Sequence, residues 1–99
     1  METNLISEIQ IIPIKPINGL VAFASFVLDN KLYLGSIGIM TRPQGGYRLV
    51  YPSKKVGMKR INIYYPINKK TAQQIETEVI NHLEDVMNKQ NDRHNSFNT

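Results

Sequence analysis

The sequence contains no cysteine and only two histidines, His82 and His94, among its 99 residues. Without cysteine the chain can form neither a disulfide nor a thiolate nucleophile. Two histidines are too few for a histidine-based metal cluster. No Ser-His-acid or Cys-His set can be proposed from these residues. We therefore expect a protein that is not an enzyme and that uses no cofactor and no metal.

Long apolar segments are also lacking. No stretch is long enough and apolar enough to cross a membrane. The first residues, Met1 to Leu5, have neither the basic start nor the apolar run of a secretory signal peptide. We expect a cytoplasmic protein without a membrane partner.

Acidic residues are missing from the middle of the chain, between Asp29 and Glu76. Nine of the twelve basic residues lie in this interval, in a chain with a net charge of +4 and a pI near 9.5: Lys31, Arg42, Arg48, Lys54, Lys55, Lys59, Arg60, Lys69 and Lys70. This asymmetry indicates a polyanionic partner or an anionic surface. The alternative is a solvated basic face that binds nothing.

Apolar and β-branched runs separated by turn residues predict about five strands. The run at 20–28 could by pattern alone be a strand or a buried helix. The polar pair Asp29 and Asn30, followed directly by a second β-forming run, favours a hairpin. Pro13 cannot donate to a sheet ladder, so its strand is expected at an edge. The predicted strands are 6–14, 20–28, 31–40, 47–51 and 61–65, and residues 52–60 are predicted to form a basic loop.

A C-terminal helix follows these strands. Asn68 can cap it, and residues 71–74 have the form of a capping box. Apolar residues then recur at spacings of three and four as one stripe, formed by Ala72, Ile75, Val79, Leu83 and Val86. The helix is expected to end near Lys89, which divides the chain into a domain at 1–89 and a polar, disordered tail at 90–99.

These elements predict an α+β fold, an antiparallel sheet of about five strands followed by one amphipathic helix. A single helix covers about one face of such a sheet. Homodimerisation through the sheet edge or its second face would cover the rest.

Several segments resemble one bacterial family in order and spacing. The run 24–29 (ASFVLD) is similar to that family's hairpin corner, 46–55 (GYRLVYPSKK) to its "GLFVAMPSKR" segment, and 65–68 (YPIN) to its "HPIN" before the helix. Ile6, Ile9, Ile11 and Ile14 fit the apolar spacing of its first strand. Over about residues 6–86 the chain thus resembles the SpoVG family, the stage V sporulation or septation proteins.

This resemblance implies a homodimeric regulator that binds DNA and RNA. The chain departs from the family pattern in three places, at 10–13, at 35–38 and at 56–62. The first strand lacks the usual arginines, the third strand has Gly-Ser-Ile-Gly where the family has His-Asp-Ile-Arg, and the turn after the lysines is one residue shorter. We therefore expect a divergent member of the family.

The candidate nucleic-acid site is the basic segment, because lysine and arginine neutralise phosphates. Its expected core is Lys54, Lys55, Lys59 and Arg60, with Lys69 and Lys70 in the first helical turn as supporting contacts and Arg48 and Arg42 as further candidates. Four tyrosines are interleaved with these cations, at 47, 51, 64 and 65, and could stack on bases or pack in the core. A rival interpretation is a protein-interaction module that uses the sheet edge or the acidic helix face.

Overall fold

The computed structural model describes residues 5–97 of the chain, with side chains described as far as Lys89. Four antiparallel strands form one sheet in the order β1-β2-β3-β4, so that β1 and β4 are its edges. A separate two-stranded ribbon and one long helix follow. The elements are β1 (Ile6–Ile17), β2 (Leu20–Leu28), β3 (Leu32–Thr41), β4 (Tyr47–Val50), β5 (Ser53–Val56), β6 (Lys59–Asn62) and α1 (Lys69–Phe97).

Tight turns with positive φ join the sheet strands. Asn18 and Gly19, at φ 51° and 89°, form the two-residue loop between the paired residues Ile17 and Leu20. Asp29 and Asn30, at φ 51° and 55°, turn the chain between β2 and β3. Asparagine, aspartate and glycine tolerate this left-handed conformation better than other residues do. The predicted hairpin at 20–40 is therefore confirmed.

Two of the four register irregularities of the sheet correct its side-chain alternation. In β1 the register shifts between Ser7 and Gln10, around Glu8 at φ 50°. In β3 it shifts at Ser36, at φ 60°, so that Ala24 pairs with Ile37 whereas Phe26 pairs with Leu34. Side chains alternate between the two faces of a sheet, so two apolar residues three positions apart would normally lie on opposite faces. The extra residue of a bulge places them on the same face instead.

The core lies between one face of the sheet and the apolar stripe of α1. Phe26 of β2 and Ile37 and Ile39 of β3 are completely buried, as are Val79 and Leu83 of the helix. Ile6, Ala22, Ala24 and Ile75 complete this buried cluster. The helix thus covers one face of the sheet, as its spacing predicted. No helix in the described part of the chain combines the length and the apolar character needed to cross a membrane.

The predicted fold class is confirmed, an antiparallel sheet followed by a single C-terminal helix. The basic loop predicted at 52–60 was wrong, because these residues form most of the β5–β6 hairpin. The last strand was expected at 61–65 but ends at Asn62, and β5 and β6 pair with each other rather than joining the main sheet. Gly57, at φ 62°, permits the two-residue turn that makes this hairpin possible.

Asn68 caps α1 as predicted, since the backbone N–H of Thr71 donates to Asn68 Oδ1 at 2.9 Å. The helix continues to Phe97, past the expected end near Lys89, because no glycine or proline interrupts the sequence after Pro66. The side chains of residues 90–99 and the backbone of residues 98–99 lie outside the described residues. The division into a 1–89 domain and a 90–99 tail stays a prediction.

The first test concerns the helix–sheet contact. Leu83→Ala should lower the free energy of unfolding by about 2–5 kcal/mol, because it opens a cavity at a fully buried position. Ile67→Ala is the control, since Ile67 is 92% exposed and its loss should change stability by less than about 0.5 kcal/mol. Urea denaturation of both variants measures the difference, and equal effects would contradict this core.

Candidate nucleic-acid interface

The β5–β6 hairpin, residues 53–62, is here named the arm. Its contacts are almost entirely between its own two strands, in contrast to the extensive contacts among β1, β2 and β3. The hydrogen bond from the N–H of Ile63 to the carbonyl of Pro52, at 2.9 Å, closes its base. Gly57 and Met58 form its tip. The arm is therefore an extension of the fold rather than part of the main sheet.

The register of the arm sorts its side chains onto two faces. Opposite residues of an antiparallel pair share a face, and successive pairs alternate. The pairs Ser53–Asn62 and Lys55–Arg60 therefore form one face, here named the polar face. The pairs Lys54–Ile61 and Val56–Lys59 form the other, here named the mixed face. The four cations predicted as the core of the site thus lie in one hairpin, two on each of its faces.

One hydrogen bond organises the polar face. Nη1 of Arg60 donates to Oγ of Ser53 at 2.9 Å, diagonally across the two strands. This contact holds the guanidinium on the same side as Lys55, and the other Arg60 donors remain available for a ligand. An arginine and a lysine adjacent on an exposed hairpin suit the binding of phosphate oxygens, the former bidentately and the latter as a point charge.

No carboxylate of the described residues neutralises the arm. Lys54, Lys55, Lys59 and Arg60 are all exposed, and none forms a salt bridge within the part of the chain that the structure describes. Four like charges on one short hairpin repel each other, which an anionic ligand would relieve. The absence of acids noted in the sequence is therefore retained in the fold.

Lys69 and Lys70 occupy the first two positions of α1, directly after the cap Asn68. Both are exposed, and the first turn of the helix contains no acidic residue. The positive end of the helix dipole makes lysine unfavourable here, whereas it favours a bound anion. The short segment 63–68 connects this turn to the arm.

The two further arginine candidates have partners of their own. Nη2 of Arg42 lies 3.5 Å from Oε1 of Glu76, and its Nε donates to the carbonyl of Tyr47 at 3.1 Å. This ion pair links the β3–β4 turn to the helix. Nη2 of Arg48 contacts Sδ of Met40 at 3.7 Å, across the paired strands. Both stay predicted contacts for nucleic acid, Arg42 as a cation engaged by Glu76 and Arg48 as an exposed cation on the edge strand β4.

The tyrosines divide between core and surface. Tyr47, Tyr51 and Tyr64 pack against the buried cluster, and the rings of Tyr51 and Tyr64 meet edge to face with centroids 6.0 Å apart. Tyr65 is 55% exposed, between the arm and the start of α1. Tyr33, at 71%, is the most exposed tyrosine among the described residues but was not among the sequence candidates. Stacking on bases is therefore open to Tyr65 and Tyr33 only.

Two tyrosine hydroxyls lie in contrasting surroundings. The Tyr64 hydroxyl donates to the carbonyl of Gly35, whereas the buried Tyr51 hydroxyl has no hydrogen-bond partner among the described residues. Burial, followed by the proximity of Tyr64 and Glu76, raises the pKa of Tyr51 to about 12. Burial also raises the pKa of Tyr64. Both side chains are neutral structural groups at physiological pH.

Sequence reasoning missed Ser53 and Asn62, which share the polar face with the cations. Strand pairing was needed to find them, since the order Ser-Lys-Lys-Val has no apolar alternation that would indicate a strand. Among residues 5–89, no group of three or more histidine or acidic side chains could hold a metal ion.

The two hydroxyls can be tested by removing each in turn. Tyr64→Phe should lower the free energy of unfolding by about 1 kcal/mol, because the Gly35 carbonyl loses its donor. Tyr51→Phe should leave it unchanged or raise it by about 1 kcal/mol, because an unpaired buried hydroxyl disappears. Urea denaturation at pH 7 compares them, and a larger loss for Tyr51→Phe would contradict this assignment.

The same pair predicts a pH dependence. The folded protein holds the Tyr51 proton more tightly than the unfolded chain, whose tyrosine titrates near pH 10. Stability should therefore be constant below pH 10 with respect to this group and fall as the pH rises toward 12. Tyr51→Phe should reduce that fall, with a remainder due to Tyr64. An identical decline in both proteins would show that Tyr51 is not desolvated.

Comparison with known proteins identifies the family to which the chain belongs. A search of curated proteins found no match. The family model of SpoVG, in contrast, matches residues 4–85, which include the whole sheet, the arm and the buried part of α1. The resemblance stated from the hairpin corner, the Pro-Ser-Lys segment and the Pro-Ile-Asn segment is thereby confirmed: the chain belongs to the SpoVG family.

Proposed function

We propose that this protein is a homodimeric, non-catalytic regulator that binds nucleic acid, DNA or RNA, through the arm and the start of α1. The observation that carries the proposal is the arm itself, with four exposed cations and no acidic partner in the described part of the chain. Membership in the SpoVG family supports a regulatory role.

A phosphate backbone fits this arrangement better than a single small anion does. The cations lie on both faces of a hairpin, so they form a strip of charge and not a closed pocket. A strip that tracks a chain of phosphates binds largely by releasing counterions, which requires charge and little exact geometry. Ser53 and Asn62 add neutral hydrogen-bonding groups of the kind that contact phosphate and sugar.

The start of α1 would add a second contact. Its free N–H groups and the dipole favour an anion, and Lys69 and Lys70 increase that preference. Exposed Tyr65 lies in the connecting segment, where an unpaired base could stack on it. The segment 63–68 is short, so a continuous strand of nucleic acid could contact the arm and the helix together.

The dimer is proposed because one face of the sheet exposes apolar side chains. Large apolar side chains remain exposed on the face opposite α1, among them Phe23, Val50 and Tyr33. A soluble monomer seldom exposes a contiguous apolar patch of this kind. A second copy that covers this face would place two arms in one assembly and double its positive charge.

The rival is a protein-binding module that acts through the sheet edge or through the acidic helix face, where Glu84 and Asp85 are exposed. On that interpretation the arm only adds charge to the surface. Salt dependence separates the two, because phosphate contacts weaken steeply as salt rises.

The decisive measurement is fluorescence anisotropy of the purified protein with labelled single-stranded RNA and with duplex DNA, at low and near-physiological salt. We expect binding whose logarithm falls with the logarithm of salt by about 0.7–0.9 per phosphate contact. The combined change Lys55→Gln and Arg60→Gln should weaken binding at least tenfold and reduce that slope by about two contacts.

Lys15→Gln is the matched control, since Lys15 is an exposed lysine on the far edge strand β1. It should change affinity less than twofold. Failure of the unmodified protein to bind either probe at low salt would refute the proposal and favour the protein-binding module.

Removing the two lysines at the start of α1 should have opposite effects on stability and on nucleic-acid binding. The combined change Lys69→Gln and Lys70→Gln should raise the free energy of unfolding by about 0.3–1 kcal/mol per lysine, because cations oppose the dipole at this end. The same change should weaken nucleic-acid binding. Urea denaturation and anisotropy measure the two effects, and unchanged affinity with raised stability would remove these lysines from the site.

A further inference from the structure

The main sheet is incomplete beside the start of α1. Strand β4 pairs with β3 only at residues 38–41 of β3, so residues 32–37 have no strand on that edge among the described residues. The segment 63–68 runs past this edge instead, where the Tyr64 hydroxyl donates to the carbonyl of Gly35. A connecting segment fills this place less completely than a strand would, and a cavity remains between β2, β3 and the helix.

The cavity has a buried floor and an exposed mouth, and its volume is about 240 Å³. Phe26 of β2 and Ile75 of α1 form the floor, whereas Leu32 and Tyr65 at the mouth are 56% and 55% exposed. No charged side chain of the described residues lines it. An apolar cavity of about 150 Å³ is enough to bind benzene, so this one can admit a flat ring that carries substituents.

The lining is apolar except for a few hydroxyl groups, and one of these has no partner. Tyr51 lines the cavity, and its hydroxyl is buried without a hydrogen bond among the described residues. Such a group is rare in a folded protein, because it loses its hydration without replacement. A ring with nitrogen or oxygen atoms on its edge would supply the missing hydrogen bond, whereas a hydrocarbon chain would not. The lining therefore favours a flat heterocycle.

Cations lie next to the cavity in the first turn of the helix. Lys69 and Lys70 directly precede Thr71, which lines the cavity, and neither lysine forms a salt bridge in the described part of the chain. As the first two helical residues they also have backbone N–H groups without partners inside the helix. The ammonium groups, the N–H groups and the helix dipole all favour a phosphate beside the cavity.

Acidic side chains near the cavity do not cancel this charge. Asp29 and Glu76 each follow a lining residue directly in the sequence. Both are paired with a cation, Asp29 with Lys31 at 3.4 Å and Glu76 with Arg42 at 3.5 Å. The surroundings of the cavity are therefore positive on balance, which suits a heterocycle attached to a phosphate.

We propose that this cavity receives one unpaired base of a bound nucleic acid. Tyr65 then contacts the base at the mouth, the Tyr51 hydroxyl bonds a polar atom of its edge, and the lysines at the start of α1 contact the adjoining phosphates. This rests on the proposed nucleic-acid function and names its substrate class, single strands or duplexes with unpaired bases. In a regular duplex the bases are paired and stacked, so entry would first require the energy of flipping a base out.

The test fills the cavity without changing any charge. Thr71→Met adds apolar atoms at a half-buried lining position, where the flexible methionine side chain can adapt to the available space. All twelve basic residues are kept. Thr77→Met is the matched control, since Thr77 is exposed on the same helix. Circular dichroism of each variant confirms that it is folded.

Three probes of equal length separate the contribution of bases from that of phosphates. They are a single DNA strand of mixed sequence, an abasic oligomer with the same deoxyribose-phosphate backbone, and a regular DNA duplex. Anisotropy should show that Thr71→Met binds the mixed-sequence strand at least about fivefold more weakly than the unmodified protein, the lower range for one base–aromatic contact. Its affinity for the other two probes and its salt dependence should stay the same. Thr77→Met should match the unmodified protein on all three.

A second variant, Tyr51→Phe, leaves the cavity open and removes only the unpaired hydroxyl. Its affinity for the mixed-sequence strand should fall about two- to tenfold, because the base loses one hydrogen bond. Binding of the abasic oligomer should not change. Equal affinity of Tyr51→Phe and the unmodified protein for the mixed-sequence strand would overturn the contact between this hydroxyl and the base.

The remaining outcomes separate base insertion from the function on which it rests. Full affinity of Thr71→Met for the mixed-sequence strand, or an equal loss for all three probes, would overturn base insertion and leave phosphate binding by the arm intact. In that case, benzene that perturbs the NMR spectrum of the unmodified protein but not of Thr71→Met would assign the cavity to a free apolar ligand. If the unmodified protein binds no probe at low salt, the proposed function fails, and base insertion fails with it.

Discussion

The fold depends on the packing of one amphipathic helix against one face of a four-stranded sheet. Phe26, Ile37 and Ile39 meet Val79 and Leu83 in a contact from which water is excluded. Each such side chain contributes about 1.5–3 kcal/mol when it is fully buried, which is a large share of the stability of a domain this small. Because α1 is the only helix among the described residues, the same contact leaves the other face of the sheet uncovered by a helix.

The division of charge follows from that arrangement. Five of the eight acidic residues lie on the helix, where Glu76 pairs with Arg42, and six of the twelve basic residues lie on the arm and at the start of α1. The arm buries almost nothing, so its sequence is not constrained by core packing and can carry four like charges. Lysines at a helix N-terminus and a hairpin of cations both reduce stability, which is typical of residues retained for binding.

Sequence reasoning correctly predicted the elements that apolar periodicity and turn residues indicate. The helix, its cap Asn68 and the 20–40 hairpin all have strong local signals, and the structure confirms them. The arm was missed because a lysine-rich stretch lacks the alternation that indicates a strand, although Gly57 gave a hint of the turn. The two faces of the arm could not be predicted at all, since they depend on which residues pair. The ion pair of Arg42 likewise depends on Glu76, thirty-four positions away in the chain.

The bulges at Glu8 and Ser36 shift the side-chain alternation of their strands by one residue. In β3, Leu34 lies before the bulge and Ile37 after it, and they face the same core only because one additional residue separates them. Deleting Ser36 would move the side chains of the residues before it to the opposite face of the sheet. Tyr33 would then turn toward the helix and Leu34 toward solvent. Length in these two strands is therefore under tighter constraint than residue identity. Insertions and deletions should be better tolerated at the tip of the arm, beyond Val56, than at either bulge.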